Sequence, residues 1–436
     1  MKRTILAAAL LIGAFSAAAQ EAGRIFRTEV VPYDTRHDAA ARNRAGSGHR
    51  IEFTPEAIAT SAGGGGILGQ TLEIPYTWTD GNVYLHLENI PSAYILWVNG
   101  RDVAQVDDAA TPAEFALTPY IRQGSNEIRL VVLPGEYPQI DAPLAPRNAY
   151  TGSYLYYQNK RSIRDFEIAL VPDTLGRDFG MLDLKIIAQN SYNYDEPVTV
   201  GYDIYSPEGK LLDFNITEVT IPGRSVDTLR FQPFVYGAYR HKWEAGDKRP
   251  ALYDVMLFTR RDGTYKEYMP LRVGFGRTEL VDGRWMRFGK EIKINPKRYN
   301  AASDEKSTAA QLEALRREGY NTVAPDYPQP AWFYALCDSL GLYVIDRANI
   351  HAPEKRMDRT VGGTPSNDPA LADEYLERVK AMYYRSRNFT SVIAYALGGP
   401  SGNGYNLYKA YEWLKSVEKS RPVICEDADG EWNTDL

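Results

Sequence analysis

The sequence predicts a multidomain chain of class β plus α/β, with two β-sandwiches followed by a partial (β/α) TIM barrel of about five strands. Short alternating apolar segments separated by turn signals fill most of residues 70–275, a pattern typical of all-β sandwiches. From residue 288 onward, strand-like and helix-like segments alternate, as in the first part of a TIM barrel. At about 100–200 residues per domain, a length of 436 residues is consistent with two to four domains.

Residues 1–19 have the features of a secretory signal peptide. Lys2 and Arg3 precede an apolar run from Ile5 to Phe15, and Ala17-Ala-Ala19 supplies an A-x-A cleavage site. No later apolar run approaches the roughly 18–20 residues that a membrane span needs. We therefore expect a periplasmic or extracellular protein without a membrane span.

The first predicted domain covers residues 20–175 and begins with an irregular N-terminal extension. Residues 83–87, 94–98 and 127–133 alternate as strands do, and Asn99-Gly100 is a hairpin turn signal. These segments predict an all-β sandwich. The second predicted domain covers residues 176–278, where about seven short strands with turn signals every 8–12 residues indicate an immunoglobulin-like sandwich.

The third predicted domain covers residues 279–436. Its first strand is predicted at 288–294, and a helix is predicted at 304–319 with Ser303 as the N-cap. The remaining elements are predicted as strands at 321–324, 342–345, 391–397 and 422–425 and as helices at 331–340, 371–387 and 405–419. In a TIM barrel, reactive side chains follow the C-terminal ends of the strands, so those positions are the candidate site.

Charge and metal-ligand patterns exclude several function classes. The formal net charge of -6 gives no basic footprint for nucleic acid. The five histidines form no i, i+4 pair and have no cysteine neighbours, so we expect no structural zinc site. No cofactor is expected. Cys337 and Cys425 lie in apolar segments and are interpreted as buried thiols, although spacing alone leaves a disulfide open.

Two N-terminal motifs resemble the sugar-binding jelly-roll domain of glycoside hydrolase family 2. They are Ile90-Pro-Ser-Ala-Tyr-Ile-Leu-Trp-Val-Asn-Gly-Arg101 and the stretch from Asp108 to Gly124, with its Glu-Phe-Ala-Leu-Thr core. The resemblance implies that Asp108 matches an aspartate that reaches the substrate site in some members. The alternative is a turn-capping aspartate on the sandwich rim.

The barrel segment resembles the β-galactosidases of the same family. Residues 332–346, 388–393 and 413–422 follow the family's scaffold pattern. The stretch Ser391-Val-Ile-Ala-Tyr-Ala-Leu-Gly-Gly-Pro-Ser-Gly-Asn-Gly404 resembles the loop that carries the general acid/base, Leu-Gly-Asn-Glu-Ser-Gly-His-Gly. Here the Asn and Glu positions are Gly399 and Pro400, neither of which can transfer a proton.

Other family positions also differ. The Glu and His that bind magnesium in β-galactosidases correspond to His351 and Pro353, so the resemblance implies that no metal is bound there. The sequence ends at Leu436, before the strand that would carry the family's nucleophile, so we expect a degenerate and truncated catalytic domain. The candidate sugar-contacting residues are Asp108, Asp326, Asn403 and Trp432.

A repurposed carboxylate pair is the alternative to a lost site. Asp326 and Glu426 follow predicted strand ends and are the candidate substitutes, although acidic residues are common in barrel loops. A retaining glycosidase needs two carboxyl groups about 5–5.5 Å apart.

Three functional hypotheses follow from these observations. The first is a secreted, β-galactosidase-like family 2 protein of carbohydrate metabolism that has lost glycosidase activity and retains a carbohydrate-binding or assembly role. The second is an active or truncated glycosidase that hydrolyses O-glycosidic bonds, and the third is a structural protein-interaction module. A glycan ligand is expected under the first hypothesis. A partner chain or self-association is expected to cover an open barrel edge.

Overall fold

The computed structural model describes residues 24–60, 65–109, 111–133, 140–144, 149–171 and 180–436. The predicted signal peptide at residues 1–19 lies outside the described residues. Within the described ranges the chain folds into two antiparallel sandwiches and a parallel sheet with helices. No helix in these ranges is long and apolar enough to cross a membrane.

The first sandwich consists of two five-stranded antiparallel sheets, with strand orders β1-β8-β5-β10-β2 and β3-β4-β9-β6-β7. Its described strands are β1 (Arg24–Ile25), β2 (Arg50–Glu52), β3 (Glu56–Thr60), β4 (Gly66–Ile74), β5 (Gly81–Leu87), β6 (Tyr94–Val98), β7 (Arg101–Val106), β8 (Ala113–Ala116), β9 (Gly124–Val132) and β10 (Tyr154–Asn159). Inward-facing residues such as Leu85, Leu96 and Leu130 are fully buried between the sheets. This burial explains the period-2 pattern in the sequence.

The second sandwich packs a three-stranded sheet, β11-β12-β15, against a four-stranded sheet, β14-β13-β16-β17. Its described strands are β11 (Arg161–Val171), β12 (Met181–Asn190), β13 (Glu196–Tyr205), β14 (Leu211–Ile221), β15 (Ser225–Phe231), β16 (Tyr253–Arg261) and β17 (Thr264–Val273). Strand β11, which sequence analysis assigns to the first domain, pairs with β12. The helix α1 (Arg36–Ala41) of the N-terminal extension lies against β17.

A small antiparallel sheet connects the second sandwich to the barrel segment. Its strands are β18 (Thr278–Val281), β19 (Arg284–Arg287) and β20 (Lys290–Glu291). The prediction of a first barrel strand at 288–294 is therefore wrong. The first parallel strand comes a few residues later, because Pro296–Arg298 pairs with Thr322–Ala324.

The barrel segment is one parallel sheet of five strands in sequence order, as expected. Its elements are β21 (Pro296–Arg298), α2 (Glu305–Arg317), β22 (Thr322–Ala324), α3 (Ala331–Leu340), β23 (Tyr343–Arg347), α4 (Ala372–Ser386), β24 (Val392–Ala396), α5 (Tyr405–Val417) and β25 (Val423–Ile424). Asp304, and not Ser303, caps α2, because its carboxylate accepts a hydrogen bond from the Ser307 amide. Gly341 ends α3 in the left-handed conformation that glycine favours.

The outer edge of β25 is hydrogen-bonded by the residues that follow it. The Val423 amide donates to the Asp435 carboxylate at 2.7 Å, and the Asp435 amide donates back to the Val423 carbonyl at 2.8 Å. The Cys425 amide donates to the Thr434 hydroxyl at 3.2 Å. Cys337 and Cys425 are free and buried, as expected from their apolar surroundings.

Three buried arginines of α4 and its C-terminus join the barrel segment to the sandwiches, and we call Arg378, Arg385 and Arg387 the interdomain arginines. Arg385 donates to Glu29 at 2.8 Å and to Glu88 at 2.6 Å. Arg387 donates to Asp165 at 2.7 Å. These contacts join α4 to both sandwiches, because Glu88 follows β5 of the first sandwich and Asp165 lies on β11 of the second.

Candidate functional site

The candidate site lies at the C-terminal ends of the five parallel strands. Arg298 ends β21, Asp326 follows β22, Arg347 ends β23, the Gly399-Pro400 loop follows β24, and Glu426 follows β25. Because neighbouring parallel strands end at the same edge of a sheet, these residues come together. Two of the predicted acidic residues, Asp326 and Glu426, therefore belong to one cluster.

Both candidate carboxylates are bound by arginine. Arg298 donates from Nη1 to Asp326 Oδ1 at 2.6 Å and from Nη2 to Glu426 Oε1 at 3.0 Å. Arg347, which is buried, donates to the same Glu426 oxygen at 2.7 Å. Asn300 adds a hydrogen bond to the other oxygen of Asp326 at 2.9 Å. A single guanidinium thus lies between the two carboxylates that a glycosidase would have to present to its substrate.

Burial and charge act in opposite directions on Arg347. Removal from water lowers the pKa of its guanidinium, and the Glu426 carboxylate works against that change by favouring the charged form. The net pKa lies below the usual arginine value but leaves the group charged. Arg347 therefore remains a permanent cationic partner for Glu426.

The Gly399-Pro400 loop makes backbone contacts with the segment that follows β23. The Gly399 amide donates to the Ile350 carbonyl at 2.7 Å, and the Ala352 amide donates to the Pro400 carbonyl at 2.9 Å. An added Cβ at Gly399 would lie 3.2 Å from His351 Nδ1, so a larger side chain there would require His351 to shift. Positions 399 and 400 of this loop carry no ionisable side chain.

The two positions that correspond to the family's metal ligands differ in exposure. His351 is half-buried and its backbone amide donates to the Ile140 carbonyl at 2.7 Å, whereas Pro353 is exposed. Among the described residues, converging ligand atoms occur elsewhere, at Glu29, His86 and Glu88, which lie within 4.8 Å of one another. The buried Arg385 guanidinium bridges the two glutamates of that group, and Arg44 pairs with Glu29 at 3.2 Å, so two cations already balance their charge.

Asn403 and Trp432 have different environments in the structure. Asn403 is only 3% exposed and exchanges hydrogen bonds with Asn433 at 2.8 and 3.1 Å. Trp432 is 55% exposed, and its ring stacks on Tyr408 at a centroid distance of 5.4 Å. Tyr408 in turn donates a hydrogen bond to Glu431. Trp432 therefore offers an open aromatic face, whereas the Asn403 amide is already hydrogen-bonded.

Asp108 lies at the junction of the first sandwich with the barrel segment. It is 3% exposed, accepts a hydrogen bond from Asn349 at 2.8 Å and lies 3.7 Å from Arg378. Burial alone would raise the pKa of Asp108, but the guanidiniums of Arg378 and Arg24 outweigh it and hold that pKa below its usual value. This geometry favours a structural role for Asp108, in which its carboxylate holds the first sandwich against the barrel segment.

Sequence reasoning missed the partners of Asp108. Arg378 also pairs with Asp141 and with Glu374, and its side chain is 0% exposed. Burial, together with the neighbouring Asp108, raises the pKa of Asp141 to about 6, although Arg378 opposes the change. The usable signal was the helical spacing of Arg378, which lies three residues after the buried Tyr375 and four before the buried Met382, on the apolar face of α4.

Two family models match the chain. The glycosyl hydrolases family 2 sugar binding domain matches residues 28–143, and the glycosyl hydrolases family 2 TIM barrel domain matches residues 297–435. Together they cover more than half of the sequence.

The chain is also similar to known proteins of this kind. A β-galactosidase of Vibrio cholerae is 28% identical over 371 residues, which are 79% of this chain and 34% of that protein. A glycosyl hydrolase family 2 member from Bacteroides cellulosilyticus superimposes with a TM-score of 0.68 at 16% identity, covering 86% of this chain and 52% of that one.

A β-glucuronidase of Bacteroides uniformis gives a TM-score of 0.68 at 15% identity, covering 85% of this chain and 48% of that one. The chain thus spans about a third of the length of the Vibrio relative and about half of these solved structures. At such identities the solved structures support the fold, and the two family models carry the assignment. The chain belongs to glycoside hydrolase family 2.

Proposed function

We propose that this chain binds a glycan at the C-terminal edge of its parallel sheet and does not cleave it by the family's acid/base chemistry. One observation carries the proposal: Arg298 and Arg347 bind both candidate carboxylates, in a site whose acid/base position is Pro400. Loss of a positioned general acid/base alone costs about 10²- to 10⁴-fold in rate. The first sandwich, which matches a sugar-binding domain, supports a glycan ligand.

The ion pairs bear on the alternative of a repurposed carboxylate pair. To act as nucleophile or as proton donor, Asp326 or Glu426 would have to leave a charge-assisted hydrogen bond of 2.6–3.0 Å. Such bonds are roughly twice as strong as neutral ones. The arrangement therefore supports a site in which the two carboxylates hold the arginines in position and do not react with a sugar.

Activity assays with aryl β-galactosides and aryl β-glucuronides test this proposal. We expect the unaltered protein to show no turnover above that of the Asp326→Asn and Glu426→Gln variants. Turnover that either substitution abolishes would overturn the proposal and favour an active glycosidase. Wild-type and variant preparations from the same purification control for contaminating host enzymes.

The aromatic face of Trp432 is the proposed sugar platform. Sugar rings stack on exposed aromatic faces, and aromatic contacts are worth about 0.5–1.5 kcal/mol beyond the buried area. We therefore expect Trp432→Ala to weaken the binding of a β-galactoside oligosaccharide about tenfold, as measured by titration calorimetry. Tyr236→Ala, at an 82% exposed aromatic residue of the second sandwich region, is the matched control. Equal affinities of Trp432→Ala and wild type would contradict this platform.

A protein-interaction role is the second candidate, and the edge strand β14 favours it. Phe214 and Ile216, two positions apart on β14, point to the same side of the strand, and both are exposed. An exposed apolar row on an edge strand is a site for self-association or for a partner chain. A monomer in light scattering at high concentration would count against self-association.

Secretion by a signal peptide at residues 1–19 remains part of the proposal, and N-terminal sequencing of the mature protein tests it.

A further inference from the structure

A cavity at the junction of the two sandwiches has a charge opposite to that of the whole chain. Its volume is about 100 Å³, and the β10–β11 connection and the β16–β17 hairpin supply residues to its lining. Five cationic side chains and one carboxylate line it: Lys160, Arg161, Arg260, Arg261, Lys266 and Asp80. This local excess of positive charge contrasts with the formal net charge of -6 of the whole protein.

Local sequence explains how the cations come together. The β16–β17 hairpin turns at Asp262-Gly263, both with positive φ, and so carries Arg260, Arg261 and Lys266 close to one another. The β10–β11 connection supplies Lys160 and Arg161 from the other side. The cavity therefore exists only where the two sandwiches meet.

Part of this positive charge is balanced within the protein. Lys160 pairs with Asp80 at 2.6 Å, and Arg161 pairs with Glu196 at 2.7 Å. The contact between Arg261 and Asp262 is longer, at 3.5 Å, and exposed. Two of the five cationic side chains remain, Arg260 on β16 and Lys266 on β17.

Arg260 and Lys266 have no carboxylate partner among the described residues. Arg260 donates to the Gly263 carbonyl at 3.3 Å, and its guanidinium lies over the Tyr265 ring. Its Nε is buried, and within the described part of the chain it makes no hydrogen bond. A buried N–H without an acceptor is costly, so an external acceptor at this place would be favourable.

We propose that this cavity binds a small tetrahedral oxyanion, a sulfate or phosphate group, held by Arg260 and Lys266. A cavity of about 100 Å³ has room for such a group. Arg260 supplies the directional N–H donors and Lys266 a second positive charge. Asp80, whose side chain is 75% exposed, lies at the rim, where water screens its charge.

Titration calorimetry of the full chain with sodium sulfate and with sodium phosphate, at ionic strength held constant with NaCl, tests the proposal. We expect millimolar binding that Arg260→Gln weakens at least tenfold. Lys266→Met, at a partly exposed position, should weaken it severalfold and serves as the second variant if Arg260→Gln does not fold. Lys306→Met on the surface of α2 removes the same charge outside the cavity and should leave binding unchanged.

A further arm separates a free anion from a sugar-borne one. Galactose 6-sulfate that binds while galactose does not would identify a sulfate ester on a glycan, and binding of the inorganic anions alone would identify a free oxyanion. Absence of any binding up to 50 mM, or equal affinity in wild type and in both cavity variants, would overturn the proposal. Because this cavity lies apart from Trp432, its failure leaves the glycan platform unaffected.

Discussion

Replacement of Arg378 by methionine is expected to destabilise the chain by about 3–5 kcal/mol, the usual cost of removing one partner of a buried ion pair. Methionine keeps the length of the side chain, but it leaves the mostly buried Asp141 without a cation among the described residues and leaves the buried Asp108 with Arg24 alone. The measurement is the free energy of unfolding in urea at pH 7.

Two further variants separate charge from packing in this prediction. Lys380→Met, on the same helix but without an ion pair among the described contacts, should change stability by less than about 1 kcal/mol. Adding Asp108→Asn and Asp141→Asn to Arg378→Met should restore part of the loss, because the unpaired charges are then removed. A decrease of under 1 kcal/mol in the free energy of unfolding of Arg378→Met would show that the ion pairs of Arg378 with Asp108 and Asp141 are not maintained in solution.

Substitution of Glu267 by glutamine is expected to make stability less sensitive to pH. Glu267 is 1% exposed, and burial raises the pKa of its carboxyl to about 7. Its oxygens accept from the Ile163 amide at 2.7 Å and from Gln158 Nε2 at 3.1 Å. Gln158 Oε1 is buried and, among the described residues, has no donor. Gln158 Nε2 also donates to the Ile163 carbonyl at 3.0 Å, which fixes the orientation of this amide. Glutamine at position 267 keeps an acceptor oxygen for the Ile163 amide and carries no charge.

The direction of the effect follows from proton linkage. The folded pKa of Glu267, about 7, lies above the unfolded value of about 4.3. The stability that the protonated carboxyl contributes is therefore complete below about pH 4.3 and lost as the pH rises through about 7. The advantage of Glu267→Gln over wild type should grow by about 1–3 kcal/mol between pH 5 and pH 8.

Urea unfolding at pH 5 and at pH 8 measures this difference, and Glu377→Gln, at an exposed position of α4, is the control. That control should show the same pH dependence as wild type. A difference between Glu267→Gln and wild type that stays constant across this range would mean that Glu267 does not titrate there.

Local patterns were sufficient to predict most elements of the barrel segment. Helix α3 occurs at 331–340, where apolar spacing and Gly341 place it, and β24 is found within the predicted 391–397 because a strand buried on both faces has a continuous apolar sequence. The first parallel strand was misplaced. Residues 288–294 have a strand-like sequence, but whether such a segment pairs in a hairpin or in a parallel sheet depends on distant partners.

The sequence indicates where the candidate site lies, but not which side chains pair within it. The rule that barrel chemistry follows strand ends pointed to Asp326 and Glu426, which lie on the same arginine in the structure. That Arg298 would bridge them depends on how three separate strands align, which no local pattern encodes. Asp108 likewise pairs with Arg378, 270 positions away, across a domain boundary. Contacts of this range arise from tertiary packing, and neither hydrophobic periodicity nor capping signals report them.

The hydrogen bonds from Asp435 and Thr434 to β25 have a consequence for amide exchange. The backbone protons of Val423 and Cys425 point away from β24 and are bound by side chains of the segment that follows. Exchange of these two protons with deuterium therefore requires that segment to lift, while the sheet itself stays intact. The two amides would report local opening at the sheet margin, separately from global unfolding.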